Sequence, residues 1–117
     1  AEMHGHVMPR SAFSTVTSGG QEDHVSMGAT ACMNLMTALD RFTDVLAAEL
    51  LIAAEAAEDL PAPMATALNQ LHRLVRVQVP ALQSDRSTAE DLRRITEHLR
   101  EGRWWSELAG TTALMDA

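Results

Sequence analysis

The sequence contains no tyrosine, and its 117 residues include only two Phe and two Trp. β-Strands favour aromatic and β-branched residues, so this shortage argues against a sheet, whereas the many Ala, Leu and Met residues favour helices. The length suffices for one domain, and such a chain buries roughly 65% of its unfolded surface on folding. The composition therefore predicts an all-α chain with a modest core.

Basic residues and cysteine are also scarce. Nine Lys and Arg stand against 16 Asp and Glu, and this acidic balance argues against binding to the phosphate backbone of nucleic acids. The single cysteine, Cys32, cannot form an intrachain disulfide, so we expect a reducing, cytoplasmic setting. We expect no signal peptide, and no stretch reaches the ~18 consecutive apolar residues of a membrane span.

Glycine and proline divide the chain into four segments. The first is punctuated by both residues, the second has a helical pattern that a Pro-Ala-Pro sequence stops, the third holds two shorter helical patterns, and the fourth ends in small residues. We expect an irregular loop segment, a long central helix, a helical pair and a tail. Their boundaries are 1–20, 21–60, 61–103 and 104–117.

Local signals refine the last two segments. The first helix of the pair is expected to end before Pro80. The second is expected to begin with a capping box, the Ser-x-x-Glu pattern at Ser87–Glu90, and to stop at Gly102. In the tail, Trp104 and Trp105 are expected to cover an edge of the core.

Charged residues are absent from Val25 to Leu39, in the long helix. Apolar residues wrap most of the circumference there, which is typical of a buried helix. A helix of about 37 residues would be about 55 Å long, whereas a globule of this size has a radius of gyration of about 13–14 Å. A good part of the helix must therefore pack against something else. A coiled-coil homodimer is an alternative, but the pattern lacks an a/d heptad with charged flanks.

The residues Gln-Glu-Asp-His-Val-Ser-Met-Gly-Ala at Gln21–Ala29 precede and open this apolar stretch. They resemble the signature near the C-terminal end of histidine ammonia-lyase and of the related aromatic amino acid ammonia-lyases and aminomutases. Ser26–Ala56 resembles the long central helix of that family. Val75–Gly102 resembles its closing segment, with Val-Pro-x-Leu and Asp-Arg sequences. The resemblance covers roughly residues 2–103.

The resemblance implies an all-helical tetramer with a central bundle of long helices and active sites built from three subunits. It also implies a catalytic tyrosine and the electrophile 4-methylidene-imidazol-5-one (MIO), which forms from an Ala-Ser-Gly triplet. This sequence has neither the triplet nor a tyrosine, and the related triplet Thr17–Gly19 lies in the loop just before the signature. We therefore expect a split enzyme, a hetero-oligomer with a tetrameric core. A larger partner chain would carry MIO, and this chain would be the small C-terminal subunit.

Two signature residues are the candidate site residues. The resemblance implies that Glu22 faces the active site, so we expect it to be catalytic and to bind substrate. A carboxylate at a helix start in a closed cavity can pair with an ammonium group or accept a proton. The alternative for Glu22 is a simple charge at a helix N-terminus. The resemblance places Gln21 beside the electrophile, where its amide can donate and accept hydrogen bonds to substrate. Asp23, in the first turn, and His24 are expected to be structural.

The other residues that could carry chemistry have structural explanations. His4 and His6, with methionines nearby, would suit copper(I), but their spacing is loose and we expect no metal site. Cys32 is expected to be a small buried residue. Asp85 and Arg86 are expected to form ion pairs that fix a turn.

The resemblance implies elimination of ammonia from histidine or an aromatic amino acid to give the α,β-unsaturated acid, and the Gln-Glu-Asp-His sequence favours histidine. One alternative is an aminomutase, which returns the ammonia at the β-carbon. Another is a non-catalytic oligomerisation or regulatory module derived from the lyase fold. Gly20, where the family usually has Asn, and Phe13, where an acidic residue is common, support that module. A cleaved piece of a full-length lyase is a further alternative.

Overall fold

The computed structural model describes residues 2–112, and the side chains of residues 2–109. Apart from one isolated bridge, no β-structure occurs within that range, and the predicted all-α class is confirmed. The chain divides into two compact units, Ala1–Phe42, here named the signature unit, and Thr43–Ala117, the core unit. The α-helices are α1 (Glu2–His6), α2 (Gly28–Glu58), α3 (Thr66–Gln78), α4 (Ala89–Glu101) and α5 (Arg103–Thr112).

The long helix α2 begins later than its sequence pattern predicts. Its 31 residues start at Gly28, so residues 21–27 are not helical and the predicted start at residue 21 is wrong. Met27 has a φ of 51°, a left-handed conformation through which a right-handed helix cannot continue. In addition, the Val25 amide donates to Ser14 Oγ at 2.8 Å instead of to a helical carbonyl. The polar part of the signature therefore lies in a loop.

Both terminal segments contain helices that their sequences did not predict. Within residues 1–20, α1 and two short 3₁₀ turns replace the expected irregular loop. The expected tail contains α5, because Trp104 and Leu108 are four residues apart and both pack on the core. The remainder of that tail, residues 113–117, lies outside the described residues. Gly102 ends α4 as predicted, with a left-handed φ of 66°.

The core unit encloses one cluster of buried apolar residues. Helix α3 packs against α4 and α5, which also pack against each other. One face of the C-terminal part of α2 contributes residues at three- and four-residue spacing. The cluster consists of Ala47, Leu51, Ala54, Val75, Val79, Ile95 and Trp104. Trp104 covers the core as predicted, but Trp105 is 61% exposed, because adjacent helical residues point about 100° apart.

The start of α4 lacks the predicted capping box. The N-cap residue is Thr88, and no side chain caps the helix. Ser87 Oγ accepts a hydrogen bond from the Ala89 amide at 3.4 Å, while Glu90 pairs with Arg93 and Arg94. The glutamate is thus engaged by arginines one turn ahead instead of by the N-cap backbone.

Arg86 fixes the turn that precedes α4. Its guanidinium pairs with Asp91, which is only 4% exposed, and donates to the Pro80 carbonyl at 3.2 Å. The prediction that Arg86 forms a structural ion pair is confirmed, and its partner is Asp91.

No residue from 2 to 42 is buried in this chain. Cys32 is exposed, so the prediction of a buried thiol is wrong for the chain by itself: nothing in the described part of the chain covers its side of α2. Large apolar side chains share this exposure, namely Met33, Leu35, Met36, Leu39 and Phe42. Within residues 2–112, none of the helices is both long and apolar enough to cross a membrane.

Candidate functional site

The candidate site is a tight turn that leads into the signature. The Thr17 amide donates to the Glu22 carbonyl at 3.0 Å, and the Glu22 amide donates to the Thr17 carbonyl at 3.4 Å. Between them, Ser18, Gly19 and Gly20 have φ values of 53°, 66° and 90°. The two glycines can adopt these left-handed φ values at little steric cost, because they carry no Cβ. The turn brings Thr17 opposite Glu22.

The Glu22 side chain is exposed and has one hydrogen-bond partner in the described structure. Thr17 Oγ1 donates to Glu22 Oε2 at 2.8 Å. The second carboxylate oxygen is left for other groups. The structure thus holds the carboxylate at one oxygen, in an arrangement that could accept a proton or pair with a cation through the other.

The helix-dipole argument for Glu22 is wrong, as is the placement of Asp23 in the first helical turn. Helix α2 starts six residues after Glu22, at Gly28, and has no acidic residue in its first turn. The influence of a helix dipole falls off within about one turn. The chemical roles predicted for Glu22 and Gln21 do not depend on the dipole, and they stay predictions.

A second hydrogen bond fixes the far end of the signature loop. Ser14 Oγ accepts from the Val25 amide at 2.8 Å. Gln21, Asp23 and His24 lie between this contact and the turn, and all three are exposed. The two candidate residues, Gln21 and Glu22, are consecutive in the sequence and both lie on this exposed turn. The structural roles predicted for Asp23 and His24 stay predictions.

Sequence reasoning missed Thr17 and Ser14 as residues that shape the site. The available signal was the Gly-Gly pair, which predicts a tight turn and hence a contact between the residues on either side of it.

The residues of this chain do not fit the formation of MIO. The sequence contains no Ala-Ser-Gly triplet. In Thr17–Gly19, the amide and the carbonyl of Thr17 are both hydrogen-bonded to Glu22. As for metals, no group of three or more His, Cys, Asp or Glu side chains within residues 2–109 is arranged to hold an ion.

The core unit holds a polar cluster that the sequence did not reveal. Arg76 pairs with Glu55 at 2.9 Å and with Glu58 at 2.7 Å, and His72 Nε2 lies 3.1 Å from the same Glu58 oxygen. The hydrogen bond from Arg76 lowers the pKa of Glu58. Glu55 also accepts from the Leu82 amide at 3.2 Å. The cluster joins α2, α3 and the segment after Pro80, which is a structural task.

A cavity of about 300 Å³ lies between α2 and α3 in the core unit. Its lining is aliphatic apart from His72, and includes Leu50, Ala53, Leu60 and Leu68. Binding sites for polar substrates need several converging polar groups. The cavity lacks them, so the signature turn is the better candidate for chemistry.

Comparisons with known proteins agree with the signature. A family model described as aromatic amino acid lyase matches residues 1–77. Histidine ammonia-lyase of Caenorhabditis elegans is 40% identical over 98 residues, which are 83% of this chain and 14% of that protein. Histidine ammonia-lyase of Natranaerobius thermophilus is 38% identical over 104 residues, which are 88% of this chain and 20% of that protein.

A solved structure extends the similarity to three dimensions. The crystal structure of histidine ammonia-lyase from Trypanosoma cruzi matches with a TM-score of 0.82 at 30% identity, covering 92% of this chain and 21% of that one. The chain thus spans about a fifth or less of the length of these relatives. With its signature, its helices and these matches taken together, the chain belongs to the aromatic amino acid lyase family.

Proposed function

We propose that this chain is the C-terminal subunit of a split, MIO-dependent ammonia-lyase that acts on histidine or an aromatic amino acid. The observation that carries the proposal is the exposed signature turn, which holds Gln21 and Glu22, in a unit where no residue from 2 to 42 is buried. A site of this kind needs a cavity, and this chain supplies only one wall of it. The larger partner chain would supply the remaining walls, the Ala-Ser-Gly triplet and the catalytic tyrosine.

The exposed apolar side of α2 supports a partner. Met33 and Met36 are each 71% exposed, and Leu35 is 59% exposed. Burial of such side chains contributes about 25 cal/mol per Å² of apolar surface removed from water. Packing of α2 into a helical bundle with a tetrameric core would bury them together with Cys32. A free thiol at that position suits a reducing, cytoplasmic compartment.

The chemistry assigned to this chain is binding and proton handling. Glu22, held at Oε2 by Thr17, would use its other oxygen to pair with the substrate ammonium or to accept a proton. Gln21 would orient the substrate through its amide. Closure by the partner would exclude water and strengthen both interactions. MIO, on the partner chain, would supply the electrophile that makes the amine a better leaving group.

Histidine is the preferred substrate class in this proposal. The relatives described above are histidine ammonia-lyases, and the Gln-Glu-Asp-His sequence matches that type. An aminomutase would use the same residues and differ only in returning the ammonia at the β-carbon. Gly20 and the exposed Phe13 instead favour a non-catalytic oligomerisation module.

The test is reconstitution. The chain is expressed with and without the open reading frame next to its gene, purified, and assayed for unsaturated acid from histidine, phenylalanine and tyrosine. We expect activity only in the co-purified complex. β-Amino acid among the products would identify an aminomutase. A stable but inactive complex would contradict the lyase proposal and support the module, and full activity of this chain alone would contradict the split enzyme.

The lone chain offers a simpler measurement. Its exposed apolar residues predict aggregation or molten character, because monomers rarely expose apolar patches above a few hundred Å². Light scattering and binding of a hydrophobic dye should decrease when the partner chain is added. A monodisperse chain that binds no dye, with or without the partner, would contradict the proposed burial of α2.

A further inference from the structure

We infer that Thr17 is a positioning residue for the Glu22 carboxylate, an inference that rests on the function proposed for Glu22. The Thr17 hydroxyl donates to Glu22 Oε2 at 2.8 Å. This bond joins two residues that are already paired through their backbones at 3.0 and 3.4 Å. Thr17 would not touch substrate. Its effect would pass through the direction in which Glu22 points.

The turn sets the hydroxyl in place before the carboxylate binds to it. The two backbone bonds fix the separation of Thr17 and Glu22. Threonine is β-branched and therefore stiff at χ1, so its hydroxyl has few positions available. Glutamate has three side-chain torsions, and an exposed glutamate without a partner would sample many rotamers. The hydrogen bond from Thr17 selects among them.

The hydrogen bond from Thr17 occupies one carboxylate oxygen of Glu22 and leaves the other available for chemistry. A carboxylate has two oxygens and about four acceptor positions, and Thr17 takes one position on Oε2. The other oxygen stays available in a direction that the Thr17 bond defines. Proton transfer and ion pairing both need the partner atom within about 2.6–3.2 Å, so a carboxylate that is free to rotate would meet substrate correctly only part of the time. In a closed site the bond would also strengthen, because the local dielectric falls.

The decisive variants are Thr17→Val, which keeps the shape and removes the hydroxyl, and Thr17→Ser, which restores it. Both are made in the complete lyase and assayed with histidine and phenylalanine. We expect Thr17→Val to lower kcat/KM about tenfold, as the loss of one hydrogen bond to a charged group does. The change should fall on the same parameter, kcat or KM, that Glu22→Gln changes. Thr17→Ser should recover most of the activity, and Thr15→Val, the same change two residues earlier, should have no effect.

A double-mutant cycle separates positioning from other roles. In a Glu22→Gln background, Thr17→Val should lower kcat/KM little further, since the effects of residues that act through one another are not additive. Full additivity would overturn the inference. Amide hydrogen exchange of Glu22 should be the same in Thr17→Val and in the unchanged protein, because the backbone bonds persist. Faster exchange at Glu22 would overturn it as well, since Thr17 would then only stabilise the turn.

Failure of this inference can be told from failure of the proposed function. If Glu22→Gln leaves activity unchanged, the role proposed for Glu22 is wrong, and the inference about Thr17 falls with it. If Glu22→Gln lowers activity strongly while Thr17→Val does not, the role of Glu22 stands and only the inference about Thr17 is overturned.

Discussion

The two units of the chain differ in where their stability and their chemistry lie. Among its residues up to 109, the core unit buries seven apolar residues, including Val75, Val79 and Ile95, which are at most 1% exposed. The signature unit carries the candidate site and buries no residue between positions 2 and 42. The difference indicates that the core unit is stabilised by its own apolar core, whereas the covering of the signature unit by a partner chain stays a proposal.

The same contrast runs along helix α2. Its C-terminal part, with Ala47, Leu51 and Ala54, packs into the core, while Met33 and Met36 in its N-terminal part are each 71% exposed. Both parts are rich in apolar residues. Burial therefore follows from which surfaces the chain itself supplies and not from the hydrophobicity of the helix.

The largest expected effect is on catalysis in the signature unit. Glu22→Gln in the complete lyase should lower turnover by about a hundredfold or more, since general acid–base groups contribute about 10²–10⁴-fold. Steady-state formation of the unsaturated acid measures this. Asp23→Asn, at the neighbouring acid expected to be structural, is the matched control and should change the rate little. Equal losses in both variants would indicate disruption of the loop instead of loss of a specific carboxylate.

The next effect is on stability, and it should be confined to the core unit. Ile95 is fully buried, so Ile95→Ala should destabilise the chain by about 2–5 kcal/mol. Leu39, which is 55% exposed, is the control, and Leu39→Ala should change the stability by less than about 0.5 kcal/mol. Urea unfolding at low protein concentration, followed by tryptophan fluorescence, measures both. Similar losses of stability at the two positions would contradict the view that only the core unit is stabilised by buried side chains.

A smaller effect is expected on assembly. Met36→Lys should weaken binding to the partner chain by about tenfold or more, because a charge would be buried in the interface. Co-purification and titration of the labelled partner measure the change. Val77, which is 78% exposed on α3, allows the same substitution in the core unit. If Val77→Lys releases the partner and Met36→Lys does not, the partner binds the core unit and not the signature unit.

The smallest effect concerns pH and helix α4. Hydrogen bonds from Arg93 and then Arg94 lower the pKa of Glu90 from 4.5 to about 2. Because this pKa is lower in the folded chain, ionised Glu90 stabilises α4 above about pH 4.5, and the contribution is lost as the pH falls toward 2. Thermal unfolding at several pH values should show Glu90→Gln less stable than the unchanged chain at pH 7. The difference in stability between the two proteins should be small, since these groups are exposed, and it should disappear near pH 2.

Much of the fold was predictable because it depends on local signals. Gly102 marked the end of α4, and Pro80 marked the region where α3 stops. The start of α2 was not predictable in this way. It depends on the left-handed φ of Met27 and on the Ser14 hydroxyl, and the latter comes from eleven residues before its partner Val25. The periodic pattern of apolar residues predicts neither a single backbone torsion nor a hydrogen bond to a distant side chain.

The sequence named the candidate site residues, whose roles stay predictions, but it did not predict the geometry of the turn that carries them. The signature identified Gln21 and Glu22, and both lie on one turn. The bond from Thr17 depends on how that turn closes, which residue types alone do not specify. Cys32 shows the opposite case. Its apolar neighbours in the sequence predict burial, yet burial requires a covering surface, and the described part of the chain does not provide one.

Gly102 has a consequence for how far the core unit can be altered. Its left-handed φ of 66° directs α5 so that Trp104, 4% exposed, fills the core and stacks on His98 at 5.3 Å. Any other residue would have to adopt that torsion at about 1–2 kcal/mol, with a Cβ placed 3.4 Å from Trp105 Cδ1. With a different torsion, α5 would run in another direction, and the indole of Trp104 would leave the core. One backbone torsion thus decides whether the largest aromatic side chain in the core is inside or outside.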